Sequence, residues 1–318
     1  MKNIVLLSLL ALQAGSALAS FEMALVLDRG TKKVHRFDAV SGAYLGSFGN
    51  FSANVASISI NQTKGEAMVY DPGATGGNGS VIYYFNYNTG LLNYAATNLT
   101  TAIPATSYAP NFGSVRLSLG NFIFRLPFDR NSGGETSYNV GGAAGRLAIS
   151  GPASMLVITG GTTIRQMNDT AGTQIGSTGT AGFSATDITS SGIATSAGNV
   201  GAIALQNGII QHFYTSASGV TMNPSASSGQ FASAMGVSNL HNGFVAVGKA
   251  ASGGALVQTY AFATGGASSS DSRLVPLIGF TGGGMTDPWD VATVVAPEPA
   301  SMTVLALGAA CFLRRRRK

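Results

Sequence analysis

The 318-residue chain has 43 glycines, 45% hydrophobic residues, only 10% charged residues and a formal net charge of +5. Lys2 and the cations at 314–318 carry that excess, because residues 20–295 hold 12 Lys plus Arg against 12 Asp plus Glu. A neutral central region excludes the basic surface that nucleic-acid binding needs. Cys311, the single cysteine, lies close to the last residue, which excludes disulfides, thiol catalysis and cysteine metal ligation from everything before it.

At the start of the chain, Met1-Lys2 supplies a positive charge, Ile4 to Leu12 an apolar stretch, and Ala17-Leu18-Ala19 a small-residue cleavage site before Ser20. This pattern predicts a secretory signal peptide over residues 1–19 and a mature chain that starts at Ser20. From there long helical periodicity is absent. Apolar residues come in short runs such as Ala24 to Leu27, Val81 to Phe85, Phe122 to Phe124, Met155 to Ile158 and Phe244 to Val247, bounded by Gly, Ser, Asn or Asp. These are strand and turn signals, and they predict one all-β domain over 20–295.

The first unit reads as three strands, Glu22 to Asp28, Lys33 to Asp38 and Ala43 to Phe48. Its aliphatic strand ends in Asp28; a polar turn and the Arg36-Phe37-Asp38 strand lead to Gly42, and the unit closes at Gly49. This stretch resembles a blade of the NHL-like and streptogramin-lyase-like propellers. The resemblance implies a β-propeller, holds from Ala24 to Gly49 and fades in later units.

A hexad recurs from this point: Phe37 to Gly42, Phe85 to Gly90, Phe128 to Gly133, Met167 to Gly172, Tyr214 to Gly219 and Tyr260 to Gly265. The turn residues Gly42, Gly90, Gly133, Gly172, Gly219 and Gly265 stand 39 to 48 residues apart, near the ~40 to 50 residues of a four-stranded propeller blade. The residue five before each glycine is aromatic or Met, suited to pack between blades, and the glycine supplies the positive φ of a tight turn. The second unit reads as Ala56 to Ile60, Ala67 to Asp71, Val81 to Tyr87 and Leu91 to Ala95, the fourth as Leu147 to Ser150, Met155 to Thr159, Thr163 to Met167 and Thr173 to Ser177. The unit between Pro104 and Gly142 does not resolve into four strands. Asp287 to Val295 is a lone strand, and the first unit lacks an inner one. The two ends complete each other, which predicts a single six-bladed propeller closed by its last strand.

Catalytic and metal signals are sparse, and no catalytic, cofactor or metal residue is assigned. His35, His212 and His241 are the three histidines, spread over separate units, with the first two on outer strands. Asp129 to Glu135 has some oxygen ligands of a calcium loop, but Val140 stands where the bidentate Glu belongs. Trp289, the sole tryptophan, reads as packing at the closing seam or as a platform for a sugar ring. Arg29, Lys32, Lys33 and Arg36 lie beside Asp28 and Asp38 and read as a mixed-charge edge.

The chain finishes with Pro297-Glu298-Pro299, a mostly apolar stretch from Ala300 to Leu313, and Arg314-Arg315-Arg316-Arg317-Lys318. Fourteen such residues fall short of the ~20 of a permanent span, and the cations hold the end in the cytoplasm. The segment 296–318 resembles the PEP-CTERM sorting signal of Gram-negative bacteria. The resemblance implies transient membrane anchoring, processing near Pro-Glu-Pro by an exosortase, and delivery to the cell surface or an extracellular polysaccharide matrix. The expectation is a non-catalytic binding or structural protein of an exopolysaccharide or biofilm matrix; the alternative is a propeller lyase or hydrolase acting on an extracellular substrate.

Overall fold

The computed structural model describes residues 20–74, 80–99, 105–109, 114–127, 136–151, 153–227, 229–264 and 272–297. The signal-peptide residues Ala17 and Ala19, and the sorting residues from Glu298 to Lys318, lie outside the described residues. Gly133, Gly265 and the Asp129 to Glu135 loop do too. Apart from one short 3-10 turn, Gln62–Lys64, the described residues form strands and connections.

The strands fold as antiparallel four-stranded sheets, each running from an innermost strand outward. The first is β24 (Pro288–Pro297), β1 (Ser20–Asp28), β2 (Lys33–Asp38) and β3 (Tyr44–Phe48). The second is β4 (Ser57–Asn61), β5 (Glu66–Asp71), β6 (Ser80–Asn86) and β7 (Leu92–Leu99). A third runs through β8 (Ala105–Ala109), β9 (Ser114–Leu119), β10 (Phe122–Pro127) and β11 (Thr136–Asn139). The fourth comprises β12 (Ala144–Gly151), β13 (Ser154–Thr159), β14 (Thr163–Asn168) and β15 (Gly179–Thr180). The fifth comprises β16 (Ala185–Thr195), β17 (Gly198–Leu205), β18 (Ile210–Ser216) and β19 (Gly219–Ser227), and the last β20 (Phe231–Leu240), β21 (Gly243–Ala250), β22 (Ala255–Ala263) and β23 (Arg273–Phe280). Successive innermost strands touch, and β20 returns to β24. The architecture is a β-propeller.

Apolar runs mark the second strands of five blades, while Val81 to Phe85 and Phe122 to Phe124 lie on the third strands β6 and β10. Ala24 to Leu27, Ala67 to Tyr70, Met155 to Ile158, Val200 to Leu205 and Phe244 to Val247 are buried throughout, because a strand inside a blade is covered on both faces by the neighbouring sheets. Hydrophobic clusters seal the joints between sheets: Leu25, Phe48, Val69 and Phe85 between the first and second, and Val26, Phe37, Val257 and Phe280 between the first and last. Tyr214, Phe244 and Tyr260 join the fifth to the last, Leu156, Ile203 and Phe213 the fourth to the fifth, and Ile123, Met155 and Val157 the third to the fourth.

Two expectations are corrected. Side chains of β8, and of β9 except Ser118, are outside the description, so the blades described in both backbone and packing number five rather than six. In the fourth unit the strand expected at Thr173 to Ser177 is absent; Gln174 makes one isolated bridge to Met167, and the outer strand is the two-residue β15. The chain there detours to the neighbouring blade, where the Ser177 amide donates to the carbonyl of Ser218 at 2.8 Å. At the closure, β24 pairs with β1 from Asp28 opposite Pro288 to Ser20 opposite Pro297, so it runs two residues beyond the expected domain end at 295.

Gly42, Gly90 and Gly172 close the outer turns at φ of 75°, 75° and 67°, and each amide donates back to the Asp38, Asn86 or Asn168 carbonyl. Each is also pressed against an aromatic ring of the preceding blade. A Cβ would come within 3.0 Å of Phe280 at Gly42, 2.7 Å of Phe48 at Gly90 and 2.5 Å of Tyr138 at Gly172. Gly219 (φ 110°) meets the backbone of Ser177.

Candidate functional site

An innermost strand turns one edge to the propeller axis, where its backbone amides have no strand partner and need another acceptor. Two aspartates meet that need. Asp290 on β24 accepts the Ile58 amide of β4 at 2.9 Å, and Asp187 on β16 accepts the Val237 amide of β20 at 2.8 Å. Each carboxylate therefore ties its strand to the next one around the ring.

Arg146 completes the cluster from the far side. It sits on β12, three strands around the ring from β24, and reaches over the axis to donate to Asp290 at 2.8 Å and to the Ala56 carbonyl at 3.0 Å. Burial pulls its pKa down, but Asp290 and Asp187 outweigh burial and raise it, so the guanidinium stays charged. Asp187 is pushed up to about 8, first by burial and then by the Asp290 charge, against the pull of Arg146 and of the Val237 and Ile188 amides. One guanidinium faces two carboxyl groups here, an arrangement that favours the protonated form of the second.

Arg146 lines two cavities and separates them. On one side lies a space of about 250 Å³ bounded by Ser59, Thr189, Ser190, Ser238 and Thr293. The Ser59 and Ser190 hydroxyls there are buried with no hydrogen-bond partner among the described residues. On the other side a wider mouth of about 690 Å³ opens past Ala56, Ala185, Met235, Arg29 and Trp289. The Arg29 guanidinium lies over the Trp289 ring, 3.2 Å from its centroid, and its Nε donates to the Val55 carbonyl at 2.8 Å. Trp289 Nε1 donates to the Ala56 carbonyl at 3.1 Å. Burial first, and then Arg146, bring Arg29 down to about 10, so it is a cation at the mouth. The stacking is a cation–π contact.

The structure disperses the other residues singled out in the sequence. Trp289 bonds the Ala56 carbonyl just before β4, at the joint of the first and second blades rather than between the first and last. Of the basic cluster, Arg29 turns to the mouth, while Arg36 crosses the rim to the Asn88 carbonyl and lies 5.9 Å from the Phe48 ring centroid. His241 is exposed at the end of β20, and its amide bonds to Glu22. His212 is fully buried on β18.

His35 belongs to a buried relay with Thr31 and Asp28. Thr31 Oγ1 lies 2.7 Å from His35 Nε2 and 2.6 Å from Asp28 Oδ2. A hydroxyl has one proton; Thr31 donates it to Asp28 and accepts from the imidazole, so His35 cannot act as a base toward it. Asp28 also accepts the Thr31 amide at 2.8 Å and the Asp287 amide at 2.6 Å. It pins the β1–β2 turn to the start of β24, as Asp71 holds the Ser52 and Gly73 amides in the second blade.

Arg146, Asp187 and Asp290 were missed as a group by sequence reasoning, although a signal exists. Gly145-Arg146-Leu147-Ala148, Thr186-Asp187-Ile188-Thr189 and Trp289-Asp290-Val291-Ala292 each place a charge near the start of an inner strand, just before an aliphatic residue. Only the ring closure shows that these slots face one another.

Residues 295–318 match the family described as PEP-CTERM protein-sorting motif. The match covers the sorting segment and marks an exported, membrane-transiting protein that an exosortase system sorts to the cell surface. No curated protein matches. Among solved structures, a protein of unknown function from Bacteroides caccae is 10% identical, covering 86% of this chain and 99% of its own, with a TM-score of 0.57. A chain of the mitotic checkpoint complex is 14% identical over 78% of this chain and 68% of its own, with a TM-score of 0.46. The Bacteroides protein shares the fold, and at that identity the likeness extends to the fold alone.

Proposed function

We propose that this chain is a non-catalytic surface protein whose β-propeller, residues 20–297, binds extracellular polysaccharide at the Trp289 mouth. In this reading a signal peptide is removed after Ala19. An exosortase acts at Pro297-Glu298-Pro299, and the terminal arginines Arg314 to Arg317 hold the unprocessed form in the inner membrane. The Ala24 to Gly49 stretch supports an NHL-like ancestry.

The observation that carries the binding reading is the mouth itself: a cavity of about 690 Å³ bordered by the only tryptophan and a half-buried guanidinium. A flat ring beside a fixed cation suits a sugar ring and its hydroxyl or carboxyl groups. Precipitation with matrix polysaccharide from the producing cells tests it. Retention of the wild type, with several-fold weaker retention of Arg29→Gln and Trp289→Phe, is the expected result. Equal retention of all three removes the mouth from the account. For sorting, replacement of Pro297-Glu298-Pro299 by alanines should leave the chain unprocessed to Lys318 by mass spectrometry and absent from the surface.

The lyase or hydrolase alternative draws on one feature, the buried Asp187 beside the Arg146–Asp290 pair in the channel, whose surroundings favour its protonated form. A held proton is what a general acid needs. Turnover of the same polysaccharide, abolished in Asp187→Asn, would favour it over the binding reading.

A further inference from the structure

The closing strand fixes where the membrane tether leaves the fold. β24 starts at the wide mouth, with Trp289 on its rim, and its backbone remains paired to β1 as far as Pro297, which stands opposite Ser20. Pro297 lies eight residue steps beyond Trp289, a run of about 26 Å at ~3.3 Å per residue. The chain therefore exits on the opposite side of the disc, where β20 ends at Leu240 and where Glu22, Gln62, Asn239 and His241 border a second opening.

The tether is also short. Only Glu298 and Pro299 stand between the last paired residue and the apolar stretch that begins at Ala300, a reach of at most about 10 Å even when fully extended. A rigid disc on such a strap cannot turn over.

We propose that, in the membrane-held form, the propeller sits with its His241 face against the bilayer and its Trp289 mouth turned away from it. The membrane is the partner of the His241 face, through proximity imposed by the sorting segment, and the second opening beside His241 is closed off until the tail is cut. The mouth is accessible both before and after processing. The orientation follows from the strand's path and the sorting segment, and holds whatever the mouth binds.

Cysteine labelling tests this directly, because Cys311 is the only native cysteine. In full-length Cys311→Ala chains held in membranes of cells without the processing protease, single cysteines are placed by His241→Cys and Asn54→Cys. Both sites are exposed, the first on the tether face and the second at the mouth. A polymer-linked, membrane-impermeant maleimide is applied to spheroplasts. Each rate is compared with that of the same variant carrying an insert of about 15 Gly/Ser residues between Pro299 and Ala300, which spans about 20 Å.

The insert should accelerate labelling at position 241 several-fold and leave position 54 unchanged. Equal acceleration at both sites, or none at position 241, overturns the orientation. Acceleration at position 54 alone would mean the mouth faces the membrane, which overturns it as well. None of these outcomes bears on polysaccharide retention.

Discussion

A buried histidine with nothing to hydrogen-bond is a residue held in its neutral form by its surroundings. His212 meets the Tyr214 and Phe262 rings edge-on at 5.7 and 5.4 Å, and neither ring nitrogen has a partner among the described residues. Burial lowers its pKa to about 4. In the unfolded chain the imidazole titrates near ~6.5, so between those values the unfolded state binds a proton that the folded state refuses. The contribution is fully present above about pH 6.5 and is lost as pH falls toward 4. Asp187 has the opposite sign: its raised pKa gives stability that is full below its unfolded value and is lost as pH rises through about 8. His212→Phe should therefore gain on the wild type as pH drops, by about 2 kcal/mol between pH 7 and 4.5. Urea midpoints of both proteins at the two pH values check it; parallel pH dependence would contradict it. At Arg146 the expectation is loss: Arg146→Met strands Asp290 as a buried unpaired carboxylate and should cost about 3–5 kcal/mol. The double variant Arg146→Met/Asp290→Asn should recover most of that, measured by the same denaturation.

At the scale of turns and strands, the recurring glycine has two separate physical causes. Positive φ accounts for a glycine in any tight turn, but the packing of Gly42, Gly90 and Gly172 on Phe280, Phe48 and Tyr138 accounts for its recurrence at blade spacing. The turn of one blade rests on the outer aromatic of the one before it. Gly90→Ala should cost about 2 kcal/mol or more, from left-handed backbone strain of roughly 1–2 kcal/mol plus the Phe48 contact. Gly65→Ala is its control, since Gly65 has φ 68° but nothing within 4 Å of a Cβ, and should lose only the backbone part. Equal thermal shifts in the two variants would remove the contact from the explanation. The aromatic five residues before the glycine was legible in the sequence because strand periodicity and turn chemistry are local. The partner ring across the blade joint was not, since Phe48 and Gly90 are 42 residues apart. The axial cluster was illegible for the same reason, because Arg146 and Asp290 come together only when the ring closes. The unit from Pro104 to Gly142 resisted reading because its second strand alternates Val115, Leu117 and Leu119 with Ser114, Arg116 and Ser118, where Ala67 to Tyr70 and Met155 to Ile158 run continuously apolar.

At the scale of the molecule, closure is the step on which the other contacts depend. β24 supplies Asp290 to Arg146 and Ile58, the Asp28 carboxylate takes its amides from Thr286 and Asp287, and Thr293 bonds the Asn239 carbonyl of the last blade. A chain stopped after Gly284 loses all of these at once. It leaves β1 with an unpaired inner edge of Met23, Ala24, Leu25, Val26 and Leu27, which are otherwise buried. Such an edge is a template for strand addition from another chain. The truncated protein should therefore elute as aggregates on size exclusion and melt without a cooperative transition, whereas a chain stopped after Pro297 should be monodisperse with a sharp one. Because the missing piece is a single strand whose partners are all in place, a synthetic peptide spanning Met285 to Pro297 should restore the sharp transition in trans when present during refolding. The same peptide with Asp290→Ala should restore it poorly, since it fills the seam but leaves Arg146 without its carboxylate. If the native peptide fails while the truncated chain stays monomeric and cooperative, the ring does not need its closing strand, and the placement of the axial cluster at the centre of the fold's stability is wrong.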